Sequence, residues 1–394
     1  MSRPIDVVIA PDSFGGALDS VGVARAMAAG WRRARPSDQV RTIPMADGGE
    51  GTLAALAEAL GEMAERRTVA VHDPLGRPIE ADFLLLDEGH AAFVEMAAAS
   101  GLAHIPPPER TPDSARAAST LGTGELIRAA LDAGVERITL GLGGSATTDG
   151  GSGMLAALGV RFLDADGRDL PPGGAALTRL ERIDHAGLDR RLREVQLTVA
   201  SDVTNPLCGP RGAAHTYGPQ KGADPAAVEE LDAALARFGD AIEDAVGRLV
   251  ADLPGAGAAG GTTAALLGFT AAVVRPGVDV VAELVGLAEA LESADLVLTG
   301  EGRADEQTLS GKAAMGVARL ARTRNAPVVL LTGALGPGSA ALDASGVFAL
   351  VQPMGDRPMT LEESMADTER LVTNAAERVA RAVGIGLSLA DGGR

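Results

Sequence analysis

Residues 5–10, Ile-Asp-Val-Val-Ile-Ala, form an apolar run that stops at Pro11-Asp12-Ser13-Phe-Gly-Gly. A continuous apolar run closed by a Pro/Gly turn reads as a strand buried on both faces. Such strands belong to parallel sheets covered by helices. A helix over about 18–33 follows, then a short strand near 40–44, the turn Met-Ala-Asp-Gly-Gly-Glu-Gly-Thr and a helix over about 50–61. This strand–turn–helix alternation predicts a parallel α/β sheet with its working groups on the carboxyl edge.

The alternation breaks after His72. Residues 82–86 and 91–96 flank the polar turn Asp87-Glu-Gly-His, which predicts an antiparallel hairpin. Longer loops and several helices follow, the clearest over 226–246, where Val228, Leu231, Leu235, Phe238, Ile242 and Val246 share one face. Alternation resumes with a strand at Asp295-Leu-Val-Leu-Thr-Gly, a helix over 312–323, and strands at 327–332 and 347–351. The last long helix is predicted to begin at Thr360, where Glu363 completes a capping box. The expected architecture is α/β with two domains. A Rossmann/flavodoxin-like parallel-sheet domain is built from residues 1–77 and 289–394, and a mixed α/β domain is inserted over 78–288. The active site is expected in the cleft between them.

Composition removes several classes of function. The formal net charge of −18 leaves no basic face for nucleic acid, and aromatics are 2% of the 394 residues. No apolar run approaches the roughly 18 residues that span a membrane. The amino terminus, Met-Ser-Arg-Pro before a short apolar strand, is too brief for a signal peptide. Cys208 is the single cysteine, which suits a reducing cytoplasm. His72, His90, His104, His185 and His215 show no zinc-ligand spacing. An anionic substrate therefore needs local cations and backbone N–H groups acting against the global field.

Those cations are unusual. The chain has two lysines, Lys221 and Lys312, among 35 basic residues, and both fall in glycine-rich polar segments. An ammonium on a flexible stem differs from a planar guanidinium chiefly in being a movable point charge, a common requirement beside phosphates. Lys312 precedes a predicted helix, where a cation opposes the dipole unless an anion is bound. Two segments share an Asp-Gly-Gly pattern before a helix, at Asp47-Gly48-Gly49 and at Asp149-Gly-Gly. There the Asp is a Mg²⁺ ligand, a proton acceptor or simply an N-cap. The second lies within Gly141-Leu-Gly143-Gly144-Ser145-Ala-Thr147-Thr-Asp149, rich in donors for an anion. Asp202, Asn205, Arg211 and Lys221 follow another apolar strand, and Glu301, Arg303, Asp305, Gln307 and Lys312 follow a third. Gly255-Ala-Gly-Ala-Ala-Gly-Gly-Thr-Thr is read equally as tight packing or a ligand contact. Neither a Walker A pattern nor the protein-kinase motifs are present, and the dinucleotide Gly-x-Gly-x-x-Gly is missing from the first strand-helix turn.

Taken in order, Ala-Pro-Asp-Ser-Phe, Met-Ala-Asp-Gly-Gly-Glu-Gly-Thr, Gly-Gly-Ser-Ala-Thr-Thr-Asp-Gly-Gly, Asn-Pro-Leu-Cys-Gly-Pro-Arg-Gly, Gly-Pro-Gln-Lys-Gly-Ala and Thr-Gly-Glu-Gly-Arg resemble the bacterial type-1 glycerate kinase family across nearly the whole chain. The resemblance implies ATP-dependent phosphorylation of D-glycerate, usually to 2-phosphoglycerate, with Mg²⁺ as the metal. Under it, Asp149 is the candidate base, and Lys221, Lys312 and Arg303 hold phosphate or the glycerate carboxylate. Asp47 and Asp202 are the candidate Mg²⁺ ligands, and Asp12, Ser13, Gly48, Gly49, Gly143, Gly144, Ser145, Thr147, Asn205, Arg211, Glu301, Asp305 and Gln307 line the substrate site. Where the family usually has Lys, and Ser two positions later, this chain has Gly15 and Ala17; Thr148 and Ala314 also depart from it. The missing lysine leaves a kinase of a related hydroxy acid, or a non-catalytic binding homologue, as alternatives.

Overall fold

Strand β1 (Asp6–Ile9) lies between β2 (Gln39–Thr42) and β11 (Leu296–Ala304) in the computed structural model, which describes residues 3–310 and 313–392. With β12 (Val328–Leu335) and β13 (Leu350–Pro353), strands numbered along the chain, they form a five-stranded sheet in the order β13-β12-β11-β1-β2. Every pair is parallel, with Val7 opposite both Val40 and Leu296. Read within this unit, that is the doubly wound flavodoxin order, and its direction reverses between β1 and β11. The unit comprises residues 1–47, 54–61 and 278–394.

The helices Ser20–Ala34 and Thr368–Gly392 pack together against this sheet. Their shared core holds Ile9, Met27, Trp31, Leu298, Leu331 and Val372. The indole of the fully buried Trp31 donates to Asp38 at 2.9 Å, and Asp38 pairs with Arg35 in the same interior. This buried ion pair retains its hydrogen-bond partners, as a charge removed from water must.

The second unit, residues 48–53 and 62–277, carries a six-stranded mixed sheet, β10-β9-β6-β5-β4-β3. The strands are β3 (Glu65–His72), β4 (Pro78–Leu86), β5 (Ala91–Glu95), β6 (Arg137–Gly141), β9 (Gln196–Ala200) and β10 (Val273–Arg275). β4 and β5 form the predicted hairpin, with Leu86 opposite Ala91. β5, β6, β9 and β10 run parallel, so their carboxyl ends share one edge. A separate pair, β7 (Arg161–Leu163) and β8 (Arg182–Asp184), is antiparallel.

Three expectations shift. β3 pairs with β4 from Glu65–Leu85 to His72–Pro78, so the main run of the second unit begins at Glu62, ahead of residue 78, and residues 48–53 also belong to that unit. It returns at Val278, not 289, because Val278 already packs on Gly316 of the first unit. The last helix is two, Leu361–Ala366 and Thr368–Gly392. At the break the Thr368 hydroxyl donates to the carbonyls of Ser364 (2.9 Å) and Met365 (3.1 Å), competing for helix acceptors. The capping box at Thr360 and Glu363 forms as read. Among the described residues no helix is long and apolar enough to cross a membrane.

Candidate active site

In the first unit the predicted residues gather at the switch point. The turn after β1 is tied to β11, as Ala10 N donates to Leu298 O (2.7 Å) and Asp12 N to Gly300 O (2.9 Å). β11 runs four residues past Gly300, so Glu301 and Arg303 are strand residues and not loop residues, paired with Thr332 and Ala334 of β12. Being two apart, they face the same side of the sheet. Asp12, Ser13, Asp47, Glu301 and Arg303 all line a cavity of about 720 Å³. Burial raises the Asp12 carboxyl to about 7, with the charges of Asp47 and Glu301 adding to the effect and a hydrogen bond from Ser13 N (2.6 Å) opposing it. Carboxylates pushed toward neutral pH by crowding are a mark of sites that bind cations or move protons. Arg303 is mostly exposed and lies 3.4 Å from Asp305, an ion pair in water and of little stabilising weight.

Gly15 lines the same cavity, and a Cβ built on it would meet no atom within 4 Å. A Cβ at position 15 is therefore sterically permitted at the cavity wall.

In the second unit the parallel-strand ends carry the remaining loops. Glu95, at the end of β5, accepts from Gly51 N (3.1 Å) and Leu53 N (2.7 Å), holding the start of the helix Thr52–Leu60. Burial raises its pKa while those N–H groups lower it. The Gly48-Gly49 turn lies against the β6 loop, with Gly143 N donating to Gly48 O at 3.2 Å. Gly48 has φ +85°, and a Cβ there would meet Ala200 at 2.9 Å, so glycine is required on both counts. A Cβ on Gly143 would likewise collide with the backbone of Gly49.

Asp149 has a different environment from the one its motif predicts. It is fully buried and accepts from Thr120 N (2.8 Å), Thr120 Oγ1 (2.9 Å), Gly151 N (3.1 Å) and Gly153 N (3.2 Å). Burial pushes its carboxyl up and these four donors hold it back. A base needs a lone pair within reach of the substrate proton, whereas this carboxylate is occupied in fixing its own loop. Lys221 is buried too, donating to Thr147 O (2.6 Å) and Ser145 Oγ (3.0 Å), with burial lowering its pKa to about 8 against the favourable charge of Asp149. Gly260 packs on Thr147 so closely that a Cβ would overlap its carbonyl, which decides the glycine-rich 255–263 segment in favour of tight packing.

The other predicted residues fall as follows. Asn205 is clasped by Tyr217, whose hydroxyl donates to it (3.0 Å), and itself donates to Arg211 O (2.7 Å). Arg211 is exposed, and Asp202, also exposed, accepts from Gly277 N at 3.3 Å. Gly144 is exposed on the β6 loop, and Asp305 N donates to Thr308 Oγ1 at 3.1 Å. Lys312 lies outside the described residues, as does the side chain of Gln307. Asp47 belongs to the first unit and Asp202 to the second. Sequence reasoning missed Glu95 and Thr120, whose partners are 42 and 29 residues away, and four apolar residues of the cavity, Leu335, Met354, Leu361 and Met365.

A doubly wound sheet that opens at its switch point on carboxylates and an arginine places the chain among α/β enzymes that handle small polar ligands on the carboxyl edge. Residues 7–384 match the family model described as the glycerate kinase family. A glycerate kinase of Halalkalibacterium halodurans is 46% identical over 95% of this chain and 97% of its own. The glycerate 2-kinase of Escherichia coli is 41% identical over 97% and 98%. A solved structure assigned as glycerate kinase 2 from Salmonella typhimurium LT2 superposes with a TM-score of 0.85 at 43% identity, covering 98% of this chain and all of that one. The chain belongs to the glycerate kinase family, and it is a kinase.

Proposed function

We propose that this kinase transfers the γ-phosphoryl group of MgATP to D-glycerate, giving 2-phosphoglycerate. The observation that carries the reading is the convergence of Asp12, Asp47, Glu301 and Arg303 on one cavity at the switch point. The named activities of the relatives supply the acceptor, and the Escherichia coli relative's name favours the 2-position.

Among the described residues no three His, Cys, Asp or Glu side chains are close enough to enclose a metal. That fits Mg²⁺, which takes one or two carboxylates and fills its octahedron with phosphate and water. Burial, and then the charges of Asp47 and Glu301, raise the pKa of Asp12, and a cation there would offset that charge. Asp12 and Asp47 are the residues that would hold it, with Glu301 adding negative charge nearby; bound there, Mg²⁺ would neutralise charge on the transferring phosphate. Arg303 and Lys312 steady phosphate oxygens or the glycerate carboxylate, and Lys221 and Asp149 hold the 145–153 loop in shape. Phosphoryl transfer passes through a loose transition state, so positioning and charge neutralisation account for most of the rate. Lone Cys208 agrees with a cytoplasmic setting.

A coupled ADP-release assay with D-glycerate tests the reading, with other small hydroxy acids as competitors. Phosphorus NMR of the product distinguishes 2- from 3-phosphorylation. Absence of glycerate-dependent ADP formation, or faster turnover of another hydroxy acid, overturns it.

A further inference from the structure

The switch-point cavity has two kinds of wall, and the order of strands separates them. Asp12, Asp47, Glu301 and Arg303 come from β11 and from the turns after β1 and β2. Leu335 ends β12, Met354 follows β13, and Leu361 and Met365 lie on the helix Leu361–Ala366. Since the sheet runs β13-β12-β11-β1-β2, the charged wall lies on one side and the apolar wall on the other. From the turn after β1, which carries Asp12, to β12 and β13 is two and three strand spacings, about 10–14 Å. That is of the order of the reach from a purine to the end of a triphosphate.

Met354 is part of the unit's core, but the rest of the apolar wall is not interior packing: Leu361 is 73% exposed, Leu335 51% and Met365 37%. Exposed large apolar side chains grouped in a concave site ask for an apolar ligand surface. D-glycerate, three carbons each bearing oxygen, has none to offer. Of the two small molecules in the proposed reaction, only the nucleotide pairs a flat apolar ring with a polyanionic tail. Thioether sulfurs make favourable contacts with aromatic rings, and two of the four wall residues are methionines.

We propose that Leu335, Met354, Leu361 and Met365 seat the purine ring of the phosphoryl donor, with its phosphates directed along the sheet edge toward Asp12, Asp47 and Glu301. The proposal rests on the kinase reading, because it takes ATP as the donor. It makes the first unit the nucleotide-binding unit and Leu361 a specificity-determining residue, acting on the ring and not on the phosphates.

The test is calorimetry on the full chain with Mg²⁺ present, titrating a non-hydrolysable ATP analogue, inorganic tripolyphosphate and D-glycerate in turn. Leu361→Ser removes the apolar cover without adding charge, and its exposed position leaves the core untouched; Met365→Gln is the second variant, and circular dichroism checks that both remain folded. The expected result is nucleotide binding about tenfold weaker, from loss of a buried leucine contact, with tripolyphosphate and glycerate within twofold of wild type. Unchanged nucleotide affinity in both variants overturns the seat. So does a loss confined to glycerate, which would make the cavity the acceptor's. If the wild type binds glycerate but no nucleotide, the kinase reading itself fails along with the seat.

Discussion

Replacing Asp149 with Asn separates a structural role from a catalytic one. The carboxylate accepts four hydrogen bonds in a site with no exposed surface, three of them on Oδ2. An asparagine keeps one acceptor oxygen and turns the other into a donor. Its oxygen takes the Oδ2 position, where three of the four bonds are made, and the N–H of Gly151 then loses its acceptor and faces a donor. A buried donor left unpaired costs about 1–3 kcal/mol. The Lys221 ammonium also loses the one charge that favours it in the interior. Together these amount to about 3–5 kcal/mol. With a urea dependence of about 2 kcal/mol per molar, the unfolding midpoint of the second unit falls by roughly 1.5–2.5 M. Circular dichroism reports both units, whereas the fluorescence of Trp31, the single tryptophan, reports the first alone. The loss should therefore be visible in circular dichroism. An unchanged midpoint with turnover reduced ~10²-fold or more would refute the structural assignment and restore Asp149 as the base.

Other substitutions probe the same arrangement. Gly15→Lys places its Cβ without a clash and adds a cation to the acidic wall. It should lower the Asp12 pKa by ~1 or more, moving the acidic limb of the kcat/KM profile to lower pH; an unmoved limb separates position 15 from Asp12. Mg²⁺ binding should release a proton near pH 7, because Asp12 titrates there and its carboxylate form is favoured by the metal. Calorimetry in buffers of different ionisation enthalpy measures it, and zero release would detach Asp12 from the metal. Lys221 sits at about 8 when folded, below the ordinary 10.5. Between those values the unfolded chain binds a proton that the folded chain has released, so stability rises with pH. Relative to Lys221→Met, the wild type should gain roughly 2 kcal/mol between pH 7.5 and 10, read from urea midpoints. Glu95→Ala strands the N–H groups of Gly51 and Leu53 and should cost about 2–3 kcal/mol in the same measurement.

What the sequence revealed and what it hid have physical reasons. Residues 5–10 announced β1 because a strand buried on both faces is apolar throughout. β3 went unread because it is an edge strand and Glu65, Arg66, Arg67 and Thr68 are all exposed, leaving no alternation to detect. The turns at Asp12 and Asp47 were legible because glycine and proline punctuate strand ends. The surroundings of Asp149 were hidden for a related reason: a local motif shows an acid among glycines but not Thr120, which meets it from 29 residues away. The apolar wall was invisible because Leu335, Met354, Leu361 and Met365 look like core residues one at a time. Only the fold shows that they share a cavity.

The pairing of β1 with β11 joins segments nearly 290 residues apart, as the hydrogen bond from Asp6 N to Asp295 indicates. Closing so long a flexible loop costs about 5 kcal/mol of chain entropy before any contact offsets it. During synthesis β1 and β2 leave the ribosome with no third strand to pair with, whereas residues 62–277 contain every strand of their own sheets. The second unit is thus free to fold first, replacing most of the floppy loop with a fixed body. The first sheet waits, edge exposed, until β11 emerges. Its apolar strands are the part of this chain most in need of a chaperone.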